Sequence, residues 1–136
     1  MIKEIVKDPL FLQQKSVLAT KSDIRIGQDL LDTLSYYHAS CVGLAANMIG
    51  YSKRIIVIQM GKFPLLMINP ILLSQKDEFN TEEGCLSLSG TRKTKRFKSI
   101  TVSFYDMQWK KQVLTLNDFP AQICQHELDH LDGILI

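Results

Sequence analysis

The stretch QICQHELDHLDGILI, residues 122–136, holds the tightest constraint in the chain. In HELDH two histidines stand four apart, so on a helix turning about 100° per residue they project within roughly 40° of each other. Both imidazoles can then reach one ion. Glu127 between them lies on the adjoining flank, placed to hold a water and take its proton. The chain has 3 histidines, and two of them flank this glutamate, a poor match for an ordinary amphipathic helix. Asp129 and Asp132 either orient the rings from outside or simply face solvent.

Such a metal needs a third protein ligand. A third histidine at the spacing of a longer zinc motif would fall on Ile136, and no later helix is there to supply a carboxylate. The ligand must therefore come from upstream, as thiolate, imidazole or carboxylate. Cys124 is two residues before His126, roughly 200° around the helix, and points away. His38 falls at the end of an earlier helix, where a capping role suits it. Cys41 and Cys85 remain. Cys85 is preferred, because Gly84 beside it permits a close backbone approach and Glu83 adds a carboxylate.

At 136 residues the chain is most simply one domain, residues 1–136, large enough for a single core. A net charge of +2 gives no argument for a specific nucleic-acid or membrane partner. An odd count of 3 cysteines suits a reducing compartment. The opening MIKEIVKDPLFLQQKS has charges where a signal peptide would be apolar, and FPLLMINPILL is too short for a span. A cytoplasmic protein is expected.

The pattern predicts an irregular arm over 1–21 and a helix from Ser22 or Asp23 to about His38. A small-residue loop, CVGLAANMIGYS, follows. Strands are predicted at 54–60 and 65–75, with a break or edge at Pro70. ITVSFYDMQ and KKQVLTLN alternate as an antiparallel hairpin with one wet face. The last helix is capped by Asn117 or Asp118 and stopped at Gly133. The expected class is α+β: antiparallel sheets packed around a central C-terminal metal-binding helix, with a second helix near the N-terminus.

Three separated motifs resemble those of the peptide deformylases. QHELDHLDG (125–133) and EGCLS (83–87) are similar throughout to that family's metal-helix and cysteine motifs, and CVGLAANMIG (41–50) is similar to its glycine-rich motif with two departures. The resemblance implies one divalent metal per chain, commonly iron(II), with zinc, nickel or cobalt possible, held by Cys85, His126 and His130. It implies hydrolysis of the N-formyl group from the initiator methionine of nascent polypeptides, with release of formate. Glu127 would be general base and then acid. The developing oxyanion would meet the backbone N–H of Leu86 and an amide side chain, which matching places at Asn47, one methylene shorter than the family's glutamine.

The resemblance also implies substrate contacts. Phe119 and Ile123 would join Val42 around the methionine side chain, with Gln122 polar where the family pattern is apolar. Val42, Gly43 and Leu44 would pair with the extended peptide. Arg92 would stand near the groove, while the basic run around it reads as a solvated strand face. The expected partners are formyl-methionyl peptides or nascent chains. Ribosome docking would lack the C-terminal helix some bacterial members carry, and a monomer is expected. Cys41, where the family has glycine, and Asn47 leave an alternative: a deformylase-like paralogue of weak or no activity that binds metal or peptide. A general metallopeptidase fits less well, because its third ligand would not be an upstream cysteine.

Overall fold

The structure is a computed structural model that describes residues 1–135. The run IIVI in Ile55–Met60 (β2) is buried along its whole length, as a strand covered on both faces must be. It pairs antiparallel with Gly43–Ala45 (β1) on one side and Phe63–Cys85 (β3) on the other. Leu88–Tyr105 (β4) and Lys111–Asn117 (β5) complete one five-stranded antiparallel sheet in sequence order. The expected β4–β5 hairpin is present in register from Tyr105↔Lys111 to Ser99↔Asn117.

Two differences from the sequence expectation concern this sheet. It is one continuous meander rather than several sheets. The strands β3 and β4 run for 23 and 18 residues and absorb residues 76–98, to which periodicity assigns no strand. The reason is physical: residues 71–78 are exposed at every position, so this ribbon has no buried face to produce alternation. Cys85 and Leu88 close its tip, and Leu86 and Ser87 make the turn.

The break expected near Pro70 is a register shift between Ile68 and Ile71. There Asn69 adopts a left-handed φ of 52°. Its side-chain amide accepts from the Ala19 N–H at 2.8 Å and donates to the Ala19 carbonyl at 2.9 Å, fastening the N-terminal arm to the sheet. The arm itself contains a short helix, Pro9–Leu12 (α1), within the region expected to be irregular.

Ile24–Tyr36 (α2) packs Ile26, Leu30 and Leu34 into the core. Asp118–Leu131 (α3) lies against β1, β2 and β4. The Gln125 side chain acts as a surrogate strand neighbour, accepting from the Phe97 N–H and donating to the Phe97 carbonyl, both at 2.8 Å. At the C-terminal end Gly133 N–H donates to His130 and Ile134 N–H to Asp129. This paired stop uses the positive φ of 77° at Gly133. A side chain there would also collide with the Gln13 carbonyl of the arm. The result is an α+β fold in which the C-terminal helix is sandwiched under the hairpin tip.

Candidate active site

His126 and His130 occupy successive turns of α3, and both are buried. Their Nε2 atoms face each other at 3.1 Å. The hairpin turn brings Cys85 over them, with Sγ 3.3 Å from His130 Nε2 and within hydrogen-bonding reach of the Ser87 N–H at 3.5 Å. All three ligand atoms lie within 4.8 Å of one another. Around a tetrahedral ion they would stand roughly 3.3–3.6 Å apart, and the two separations at His130, 3.1 and 3.3 Å, lie near that. The set therefore fits a borderline divalent cation.

The electrostatics agree. Burial opposes charge on His126, but its contacts with Cys85 and Glu83 outweigh burial and push it up to about 10. Burial, joined by the charges of His126 and Arg96, holds His130 down to about 3. Without an ion, one ring of the pair therefore keeps a proton that the other does not.

Glu83 fixes the first ring. Its Oε1 accepts from His126 Nδ1 at 2.7 Å, leaving Nε2 free to ligate. The same carboxylate accepts two-pronged bonds from Arg96 at 2.7 and 3.0 Å and one from Gln122 Nε2 at 2.9 Å. Burial alone would raise its pKa, but His126, Arg96 and Gln122 overcome burial and bring it to about 2. Arg96 also donates to Asp129 at 2.7 Å. Asp129 thus holds an arginine, and Asp132 pairs with Arg54 at 3.0 Å; neither orients an imidazole. That task falls to Glu83.

Glu127 has the opposite setting. Its Oε1 is buried with no hydrogen-bond partner among the described residues. Burial pushes its pKa up to about 7, near where a proton can be both taken and returned at neutral pH. The carboxylate fits only because Gly43 lacks a side chain: a Cβ there would stand 2.8 Å from Glu127 Oε2 and 2.7 Å from Ile123 Cγ2.

A cleft of about 520 Å³ opens onto this group. Of the residues expected to meet substrate, Val42, Gly43, Phe119 and Ile123 line it, as does Leu86 of the hairpin turn. Leu44 turns its side chain into the core, and the contact expected of it is one of backbone pairing. Arg92 is also outside the lining and donates to the Ser89 carbonyl at 3.3 Å.

The expectation for Asn47 needs correction. Asn47 is 0% exposed, and its Nδ2 donates to the His130 carbonyl at 2.8 Å, away from the cleft. The next residue of the short turn Ala46–Ile49, Met48, lines the cleft instead. A thioether has no N–H to give. Cys41 is in the lining too, its Sγ donating to the Gly43 carbonyl at 2.9 Å, and burial pushes its thiol up to about 12. Cys124 points into the core toward Met67 and His38 caps α2 through the Ser35 carbonyl, both as expected.

Sequence reasoning missed Met48, Glu82, Leu88 and Gly90 in the cleft and Arg96 beneath it. For Arg96 a signal existed in Glu83, a carboxylate beside a ligand that needs a buried cation.

The polypeptide deformylase family model matches residues 2–136. The chain belongs to that family. A curated peptide deformylase from Clostridium beijerinckii is 53% identical over 136 residues, covering 100% of both chains. The crystal structure of a peptide deformylase from Thermotoga maritima superposes with a TM-score of 0.88 at 30% identity, covering 99% of this chain and 95% of that one. A Met-Ala-Ser-bound class I type b peptide deformylase from Acinetobacter baumannii gives 0.88 at 25% identity, covering 99% and 97%. The chain is thus a hydrolase that removes the N-formyl group from nascent peptides. The alternative of an inactive paralogue is not favoured. Peptide deformylases are metalloenzymes, and the Cys85, His126 and His130 cluster is a possible metal site. No helix among the described residues is long and apolar enough to cross a membrane.

Proposed function

We propose that Cys85, His126 and His130 hold one divalent ion, iron(II) in the cell, and that Glu127 moves the proton of the reaction. The observation that carries this reading is the close buried triad beside an unpartnered buried carboxylate. When bound, the ion supplies Lewis acidity toward the formyl oxygen and toward water.

Glu127 accepts the proton of the attacking water as its oxygen adds to the formyl carbon. Glu127 then gives that proton to the amine as the C–N bond breaks, so formate and a free N-terminus depart. The Leu86 N–H, on the turn over the triad, is the donor for the oxyanion. Glu83 keeps His126 in the tautomer that ligates, and Arg96 keeps Glu83 ionised. Val42 and Gly43 offer the free edge of β1 to the backbone of an extended peptide. The bound Met-Ala-Ser of the Acinetobacter relative supports a methionyl peptide in this cleft. The family match from 2 to 136 supports one domain, and a monomer acting on nascent chains is the simplest working unit.

The test is formate release from formyl-Met-Ala-Ser by iron(II) protein prepared without oxygen. Turnover lost together with bound iron in Cys85→Ala is the expected result. Full turnover by a metal-free Cys85→Ala protein would overturn the assignment.

A further inference from the structure

Gln122 lies one helical turn before His126, on the same face of α3, and lines the cleft beside Phe119 and Ile123. Its amide orientation is fixed. Nε2 donates to Glu83 Oε2 at 2.9 Å, and the reversed amide would set a carbonyl against a carboxylate. One of its two N–H groups is thereby used. The second N–H and the carbonyl oxygen make no side-chain hydrogen bond among the described residues.

We infer that Gln122 lets the otherwise apolar first side-chain pocket also accept a polar, uncharged side chain, so that the enzyme deformylates peptides beginning with formyl-methionine sulfoxide as well as formyl-methionine. The inference rests on the deformylase reading of the site. The formyl carbon must lie by Cys85, His126 and Glu127, so the side chain, which leaves the α-carbon two bonds away, comes within reach of Gln122 and Ile123 in the same cleft. A wholly apolar side chain there covers the free N–H without pairing it, which is costly. A sulfoxide is nearly the size of the methionine it replaces and offers a strong acceptor to that N–H. Swinging Gln122 away would break its bond to Glu83, so that route carries its own cost.

The experiment compares formyl-methionine-sulfoxide-Ala-Ser with formyl-norleucine-Ala-Ser on the metal-loaded enzyme. Wild type is measured beside Gln122→Leu and Gln122→Met, two apolar side chains of similar volume. The readout is the ratio of kcat/KM for the two peptides, which cancels any general loss from weakening Glu83. A ratio that falls at least about fivefold in either folded variant, the worth of one neutral hydrogen bond, supports the inference. A smaller change overturns it. Calorimetric binding of the deformylated products, Met-sulfoxide-Ala-Ser against norleucine-Ala-Ser, reads the side-chain preference without turnover. If neither formyl peptide is hydrolysed, the deformylase reading fails on its own, and product binding still decides the role of Gln122.

Discussion

Glu83 and Glu127 share one buried floor, 8% and 4% exposed, and differ in everything else. Glu83 is gripped by His126, Arg96 and Gln122 and titrates at about 2; Glu127 has a buried oxygen without a partner and titrates at about 7, driven there by burial. The same functional group is a fixed anchor in one place and a proton carrier a few ångströms away. The number of donors aimed at each carboxylate makes the difference. Partners suppress reactivity, and their absence keeps the proton affinity near neutrality.

Breaking the two acids should therefore produce different failures. Glu127→Gln is expected to lower turnover by about 10²–10⁴ while leaving metal content intact and the melting temperature unchanged or higher. Loss of metal in that variant would show that Glu127 is structural. Glu83→Gln should instead weaken metal binding by about 10–100-fold, read by competition with a chelator. It should also destabilise by about 3–5 kcal/mol, because Arg96 is left buried with a weaker partner. Unchanged metal affinity would dissolve the contrast.

The two acids also predict opposite responses to pH in the metal-free protein. The Glu83 pKa is lowered on folding from an ordinary 4.5 to about 2. Its stabilisation is complete above about pH 4.5 and is lost as pH falls toward about 2. The Glu127 pKa is raised from 4.5 to about 7, so its ionisation costs the fold stability as pH climbs through that interval. The gain in melting temperature of Glu127→Gln over wild type should grow from about pH 4.5 to 7. A constant difference would mean that Glu127 is not held protonated by burial.

The smallest effect tests the corrected turn. Asn47→Gln adds a methylene to a fully buried site and should cost about 1–3 kcal/mol without raising turnover. Met48→Gln places an amide in the cleft and should raise turnover severalfold. The reverse pattern in formate release would restore Asn47 to the cleft.

How much of this was legible beforehand follows from the range of each interaction. His126, Glu127 and His130 stand within five residues on a helix, so spacing alone aligned them. Cys85 was reachable because the motif lacked a third ligand. Asn47 and Met48 are adjacent on a four-residue turn with a sharp rotation per residue, and only the path of the chain decides which side chain faces the cleft. Arg96 sits in a run of exposed cations and is buried because register sets it opposite Phe79, over α3. Register across an 18-residue ribbon is not written in local composition. The two long helices were legible through their buried faces and the β4–β5 hairpin through its alternation; the short α1 and the exposed ribbon of 71–78 were not.

That ribbon carries Cys85 at its far end, while its two histidine partners lie on the last helix. The ion would therefore add a clasp at the tip of the hairpin to the bonds that Glu83, Arg96 and Phe97 already make to the last helix. Zipping the ribbon must precede closure of the clasp, and opening it would free the tip first. A bound ion would lengthen the time for which the hairpin tip stays shut and the peptide groove beside it keeps its wall.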